Sequence, residues 1–189
     1  MSQRLIIVIF LMITALGSAW LLDVVSQKRP SSDKESYHEA DYYMDDFTTL
    51  TMREDGTPKS SLYAVHMEHF PDNDTSELLQ PKMELYRTTR LPLYVSAEKG
   101  WVTADSEVIL LKGNVQLWEN DDIGERVLQV DTSEAHVLLE QDYAETDKPT
   151  TIKTKRTTVT GIGMRAYFDD SRLEVLKDVH TYIEQKQTP

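Results

Sequence analysis

Alternation of apolar and polar side chains with a period of two dominates the chain after its first 45 residues. Apolar residues recur at every second position in several segments, for example from Leu91 to Ala97 and from Ile109 to Leu117. Successive side chains of a β-strand point to opposite faces, so this pattern predicts strands with one buried face. Outside the N-terminus, no stretch carries an apolar stripe of helical period longer than two turns. The predicted fold class is therefore all-β.

Turn-forming residues separate the alternating segments. Gly, Pro, Asn and Asp are the residues that tight turns favour, and they occur here in clusters. Short amphipathic strands joined by such turns predict an antiparallel sandwich, roll or barrel. The turn candidates are Glu54-Asp55-Gly56, Pro71 to Asp74, Asn120 to Gly124 and Asp147-Lys148-Pro149.

A weak internal repeat lies within the predicted strands. Val108 to Leu117 reads VILLKGNVQL, and Leu173 to Ile183 reads LEVLKDVHTYI. A short acidic turn precedes each copy. The repeat predicts a roll that is extended by stacking similar units. The alternative is that two amphipathic strands resemble each other without a common origin.

The N-terminus has a different composition. No side chain from Leu5 to Leu22 is charged, and Val24 and Val25 extend the apolar run beyond Asp23. About 20 apolar residues suffice to cross a hydrocarbon core of roughly 30 Å. We interpret residues 1–25 as an uncleaved transmembrane anchor, with Trp20 at the interface. The alternative is a signal peptide that is cleaved just before that tryptophan.

The remaining chain divides into two parts. Residues 26–44 are polar, with mixed charges and a Pro-Ser-Ser sequence, which predicts a linker between the membrane and the domain. Residues 45–189 carry the alternating pattern and form the predicted β domain. Basic residues flank the apolar run on both sides, so charge alone leaves the orientation of the anchor open.

Composition excludes several classes of function. The net charge is −12, from 32 acidic and 20 basic residues, which argues against binding to nucleic-acid phosphates. The chain has no cysteine, and this excludes disulfides, thiolate catalysis and cysteine-based zinc sites. We predict no cofactor.

Candidate catalytic and metal-binding residues have simpler explanations. His66-Met67-Glu68-His69 resembles a metal-binding cluster, but residues three apart on a strand point to opposite faces, so no metal site is predicted. The acidic pairs Asp121-Asp122 and Asp169-Asp170 could serve a hydrolase, yet they fall in turns where solvated aspartate is usual. No serine-hydrolase, phosphate-loop or zinc-protease motif occurs. The sequence indicates a protein that is not an enzyme.

The combination of these parts resembles the LptC family, the membrane-anchored periplasmic subunit of the lipopolysaccharide export machinery. The likeness covers essentially the whole chain. The "LKGNV" element is shared with related periplasmic bridge proteins, and the N-terminal anchor makes LptC the better match. The local matches are Glu54-Asp55-Gly56, Gln80-Pro81, Leu111 to Val115, Gly161 to Arg165 and Thr181 to Gln187.

The resemblance implies an open antiparallel β-jellyroll whose apolar groove holds the acyl chains of lipopolysaccharide. It implies docking on the LptF/LptG/LptB inner-membrane ABC transporter at one end and on the bridge protein LptA at the other. It also implies a single-pass inner-membrane protein with a cytoplasmic N-terminus and a periplasmic domain. A periplasmic β scaffold that binds partners without lipid, and an anchored hydrolase, are the competing functions.

Two sets of site residues follow. Gly161 is the candidate docking residue, because glycine permits close backbone approach and the preceding Thr157 to Thr160 reads as an edge strand. The groove candidates come mostly from the alternation, whereas Phe47 and Leu78 rest more on the resemblance. They are Phe47, Tyr63, Val65, Met67, Leu78, Met83, Leu85, Val95, Ile109, Val115, Leu117, Val137, Phe168 and Ile183.

Overall fold

In the computed structural model, the chain divides into two units, residues 1–37 and residues 38–189. Within the first unit, residues 11–22 form an α-helix, α1. No helix among the described residues is both long and apolar enough to span a membrane. The described residues are 11–22, 38–88, 90–104, 108–168 and 170–184.

The predicted anchor and linker are covered only in part by these residues. Residues 1–10, 23–25 and 26–37 of those two segments lie outside the described ranges. The first strand begins at Tyr42, which is three residues before the expected start of the β domain.

The second unit is built from antiparallel β-strands, as the alternation predicts. A single sheet of 11 strands contains all of them, and every pairing is antiparallel. The strands are β1 (Tyr42–Met52), β2 (Pro58–Phe70), β3 (Thr75–Leu79), β4 (Lys82–Leu85), β5 (Leu93–Ser96), β6 (Lys99–Val102), β7 (Val108–Asn120), β8 (Arg126–Leu138), β9 (Tyr143–Thr154), β10 (Thr157–Tyr167) and β11 (Arg172–Ile183).

The sheet is open, with β1 and β11 at its two edges. From β11 the order runs through β10, β9, β8 and β7 to the short strands, then to β2 and β1. The short strands β3 and β4 both pair with β2, and β5 and β6 both pair with β7. Each short pair therefore occupies the place of one long strand that is interrupted in the middle.

A line of backbone irregularities crosses the sheet at one level, and we call it the bend line. Strand register shifts by one residue on β7, β8, β9 and β10 where they cross this level. Several residues on the line have positive φ, which only glycine and, less often, Asn or Asp adopt readily. Such bulges bend a strand and increase its twist. The positive-φ residues on the line are Asp46, Gln80, Gly113, Asn114, Gly163 and Asp178.

The internal repeat of the sequence coincides with the bend line. In β7 the repeat places Gly113 and Asn114 at φ values of 74° and 44°, immediately after Lys112. In β11 the matching position is Asp178, at 50°, immediately after Lys177. The similar residues thus mark the point at which each strand bends.

The bend line divides the sheet into two half-sheets whose apolar faces pack together. The first half-sheet contains Val108 to Lys112 of β7, and the second contains Val115 to Asn120. Residues of both form one buried cluster, and a smaller cluster of Ala64, Met67 and Leu78 lies beside β1. The main cluster is Met83, Leu85, Leu93, Val95, Ile109, Leu111, Val115, Leu117, Val130, Ala135, Val137, Ala144, Ile152, Met164, Ala166 and Phe168.

Two sequence predictions are wrong at the bend line. Asp147-Lys148-Pro149 is not a turn between strands but part of β9. Proline is tolerated at a bulge because one ladder hydrogen bond is missing there. The threonines on either side hold the bend, since the Thr146 hydroxyl accepts from the Lys148 N–H and the Thr150 hydroxyl donates to the Lys148 carbonyl.

The second error concerns the faces of β2. Tyr63, Val65 and Met67 were expected to share the buried face, but Ala64 is fully buried and Tyr63 is not part of either cluster. The bend falls between Ala64 and Met67, where β2 changes its partner from β4 to β3. The buried positions shift by one residue there, from Ala64 to Met67, so a strict alternation across the bend assigns the wrong face.

Candidate functional site: the interior and edges of the folded sheet

Most of the predicted groove residues lie together in the interior of the folded sheet. Alternation within each half-strand directs them inward, and the strand pairings align them in rows. The row through Met83, Val95, Leu117 and Val130 is one example, since each is the register partner of the next. In the main cluster are Met83, Leu85, Val95, Ile109, Val115, Leu117, Val137 and Phe168, and in the smaller cluster are Met67 and Leu78, with Phe47 packed against it.

Three predicted residues lie elsewhere. The Tyr63 hydroxyl donates a hydrogen bond of 2.9 Å to the Asp46 carboxylate, which raises the pKa of Tyr63. The ammonium group of Lys82 lies over the same ring. Val65 is at the bend and belongs to neither cluster, and Ile183 ends β11 with 64% of its surface exposed.

The interior is packed rather than hollow. Val95, Ile109, Val130 and Val137 are each at most 2% exposed. Between the half-sheets at the open side of the roll lies a cleft of about 220 Å³. Ligand pockets for drug-sized molecules usually measure about 300–1,000 Å³. A long acyl chain therefore enters through this cleft only if the half-sheets move apart.

The cleft has an apolar floor and a basic rim, and we call this region the mouth. Leu93, Leu117 and Leu128 line it from one half-sheet, and Phe168 and Leu173 from the other. Arg87 and Arg90 lie on the rim, together with Glu119. These polar residues were not predicted from the sequence. The available signal was the pair of arginines at either end of Arg87-Thr88-Thr89-Arg90, which stands out in so acidic a chain.

Arg87 connects three elements across the mouth. Its guanidinium donates to the Leu91 carbonyl, to the Ser171 hydroxyl at 3.3 Å, and to the Glu119 carboxylate at 3.1 Å. The Arg87 side chain is only 8% exposed. The guanidinium thus holds the β4–β5 loop and the β10–β11 turn against β7.

Gly161 lies inside the sheet rather than at its edge. β10 pairs with β9 on one side and β11 on the other, so the prediction that Thr157 to Thr160 form an edge strand is wrong. A Cβ at Gly161 would overlap Val175 Cγ1 and would lie 2.8 Å from the Lys177 carbonyl oxygen. Glycine is therefore required for the close approach of β11, which is the edge strand. The docking role of Gly161 stays a prediction.

Histidines of β2 bind carboxylates at the opposite edge. His69 Nδ1 lies 2.7 Å from Asp41 and its Nε2 lies 3.0 Å from Asp74. His66 is held in the same way by Asp45 and Glu68. These hydrogen bonds raise the pKa of both histidines.

The same part of the molecule carries no metal centre in the described ranges. Among those residues, no group of three or more His, Asp and Glu side chains is arranged to hold a metal ion. His66 and His69 instead each have two carboxylate partners of their own.

Comparison with known proteins identifies the family. The family model described as "Lipopolysaccharide-assembly, LptC-related" matches residues 6–184. No curated protein matches the chain by sequence. Among solved structures, the chain is similar to LptH, described as the LptA homologous periplasmic component of the lipopolysaccharide transport device from Pseudomonas aeruginosa. The TM-score is 0.53 at 7% identity, over 67% of this chain and 95% of that chain.

The two comparisons agree with the geometry. The structural likeness shows the LptA-like β-jellyroll fold, and the family match covers the whole described sheet. Family and fold together support a role in lipopolysaccharide transport. The chain belongs to the LptC-related family of lipopolysaccharide-assembly proteins.

Proposed function

We propose that this protein is the anchored periplasmic subunit that receives lipopolysaccharide from the LptF/LptG/LptB transporter and passes it to the bridge protein LptA. The acyl chains travel between the two half-sheets. The observation that carries the proposal is the pairing of two largely apolar faces on an open sheet. An open sheet can separate along its free side, which a closed barrel cannot do without breaking strand pairing.

The energetics favour an enclosed path. Exposing one acyl chain of about 12 carbons to water costs on the order of 9 kcal/mol, at ~0.8 kcal/mol per CH₂. At ~1.4 kcal/mol per tenfold, this slows release by about six powers of ten. A chain that moves between interiors of similar lining avoids most of this barrier. Such transfer requires no catalytic residue, and the driving energy comes from the ATPase of the transporter.

The apolar N-terminal run and the family support a position in the cell envelope. Residues 1–25 anchor the protein as a single-pass segment with a cytoplasmic N-terminus, and residues 26–44 place the domain in the periplasm. The free edges β1 and β11 supply unpaired backbone groups to which a partner can add a strand. Gly161 supports assembly because it allows β11 to approach β10.

One observation favours a second function, a scaffold that binds partners through its edges and carries no lipid. The interior is already filled by its own side chains. Lipid transport then depends on whether the half-sheets separate in the assembled complex.

A photo-crosslinker separates the two functions. Val115 is 3% exposed in the interior, whereas the neighbouring Gln116 points outward and donates to Asp131 at 3.0 Å. We expect lipopolysaccharide to crosslink at Val115 and not at Gln116 in cells. Mass spectrometry of the purified full chain should also detect co-purified glycolipid. Equal labelling at both positions, or no glycolipid and no labelling, would rule out the lipid conduit.

A further inference from the structure

The mouth combines features that an amphiphile with an anionic head requires. Its floor is apolar and continuous with the main cluster through Leu117 and Phe168. Its rim carries two arginines in a protein whose net charge is −12. An apolar floor beneath a basic rim matches a molecule with an acyl tail and a phosphorylated head.

The two arginines are in different states. Arg87 is buried and paired with Glu119. Arg90 is exposed, and within the described part of the chain no ion pair or side-chain hydrogen bond engages it. Arg90 also borders a wider surface depression beside the mouth, together with Thr88, Leu91, Glu119 and Asp122. It is therefore the cation that an incoming anion meets first.

The contacts of Arg87 also keep the mouth narrow. The contacts with Leu91 and Glu119 lie within one half-sheet, whereas the hydrogen bond to Ser171 in the turn between β10 and β11 bridges to the other half-sheet. A phosphate that binds the Arg87 guanidinium must compete with Glu119 for it. Guanidinium binds phosphate in a bidentate geometry, so the exchange conserves hydrogen bonds.

We propose that the mouth is the lipid entry site, where Arg90 and Arg87 bind the phosphorylated head of an acylated glycolipid. Head-group binding at Arg90 comes first, and transfer of Arg87 from Glu119 and Ser171 to the phosphate then releases the hydrogen bond that links the half-sheets. The acyl chain enters over Leu93 and Leu173 into the space that opens. This inference rests on the proposed function. It adds the orientation of the bound lipid, with the head group at the arginines and the acyl chain in the interior.

The test uses the purified full chain in detergent with a photo-crosslinker at Leu173. The probes are lipid A with both phosphates and the same lipid after dephosphorylation. Arg90→Glu should weaken labelling by the phosphorylated probe about tenfold, as expected for loss of a charged hydrogen bond, and should leave the dephosphorylated probe unchanged. Glu119→Gln, which releases Arg87, should strengthen labelling by the phosphorylated probe.

The matched control is Arg156→Glu, an exposed arginine at the turn between β9 and β10. It makes the same change in net charge at a residue that does not line the mouth. Equal loss with Arg156→Glu, or equal loss for both probes, would overturn the proposal in favour of general electrostatic attraction. Inorganic phosphate alone should compete poorly. Strong competition by it would indicate a site for free anions rather than for a lipid head.

The outcomes also distinguish this inference from the proposed function. Labelling at Val115 that does not depend on Arg90 would support the proposed lipid transport and would refute the mouth as the entry site. Absence of labelling at both Val115 and Leu173 in the unmodified protein would remove both. Circular dichroism on each variant checks that strand content is retained.

Discussion

At one edge of the sheet, β1 is tied to β2 by polar side chains, whereas at the other edge β11 is held partly by apolar packing. Asp41, Asp45 and Asp46 of the β1 segment bind His69, His66 and Tyr63. Tyr42 and Tyr43 stack on the same two histidines. Phe47 is the one residue of β1 that packs against a core cluster.

β11 shows the opposite arrangement. Leu173 and Val175 pack against the main cluster before the bend line. After it, within the described residues, no side-chain hydrogen bond or ion pair joins Lys177 to Ile183 with β10. Val179, Tyr182 and Ile183 are more than half exposed there. The comparison shows that the attachment of β1 to β2 depends on charge and pH, while the attachment of β11 to β10 depends on close backbone contact.

Gly161→Arg should have the largest effect on assembly with the transporter, and it should disturb the β11 edge alone. The new side chain overlaps Val175 Cγ1, so the strand must move away from β10. We expect strand content by circular dichroism to persist and co-purification with the transporter subunits to be lost. Ile162→Arg adds the same charge at an exposed neighbouring position and should assemble normally. Unfolding of the Gly161 variant, or normal assembly, would refute the docking role.

Phe47→Ala should release β1 and leave β11 in place. Truncation of a fully buried aromatic side chain to alanine lowers the free energy of unfolding by about 3–5 kcal/mol, and for this partly buried ring we expect a loss of about 2 kcal/mol. Hydrogen exchange should accelerate in β1 and not in β11. Leu50→Ala, at a position 54% exposed on the same strand, should change stability by less than about 0.5 kcal/mol. Faster exchange at both edges would contradict the independence of the two.

The pH dependence should also be confined to β1. Carboxylate partners raise the pKa of His66 and His69 in the folded state above the unfolded value of about 6.5. Their contribution is fully present below that value and is lost as pH rises through the folded pKa. Amide protection of β1, corrected for intrinsic exchange rates, should fall several-fold between about pH 6 and pH 8.5, with β11 unchanged.

His69→Phe provides the control for this effect. Phenylalanine keeps the stacking on Tyr42, whose ring centroid lies 4.6 Å from that of His69, but it cannot titrate. The pH dependence of β1 protection should shrink in the variant. An unchanged profile would mean that other groups cause it.

The smallest change in the free energy of unfolding should come from replacing a bend-line aspartate with glycine. The change should differ between the β11 edge and the β1 edge. Asp178 and Asp46 both have positive φ, near 50° and 46°. Asp178→Gly relieves this conformation and should stabilise the domain by less than about 1 kcal/mol. Asp46→Gly also removes the acceptor of the Tyr63 hydroxyl, so its net change should be near zero or destabilising. Denaturant unfolding of both variants tests the difference.

The sequence predicted the strands and most of the interior because alternation within a half-strand is a local property. Ile109, Val115 and Val137 were assigned correctly on that basis. It failed where the phase changes, as at Tyr63 and Val65, since β2 exchanges β4 for β3 as its partner there and this exchange leaves little trace in the local sequence. The Lys-Gly-Asn and Lys-Asp elements of the repeat were visible, but their meaning as bends required the pairing of strands.

The partners of a strand could not be predicted in the same way. Thr157 to Thr160 is polar enough for an edge, yet β11 covers it, because edge position depends on long-range pairing rather than on local sequence. The mouth was missed for a similar reason. Arg87, Glu119 and Ser171 are far apart in the chain and meet only in the folded sheet.

The bend line restricts which strands can extend the sheet. A straight strand added at β1 or β11 would find hydrogen-bonding partners along only one half-sheet, because the other half turns away at Asp46 or Asp178. A partner that pairs over the full length must carry its own one-residue interruption at the same level. The bend line thus fixes the register of an added strand. It would align the interiors of two joined proteins without any further contact between them.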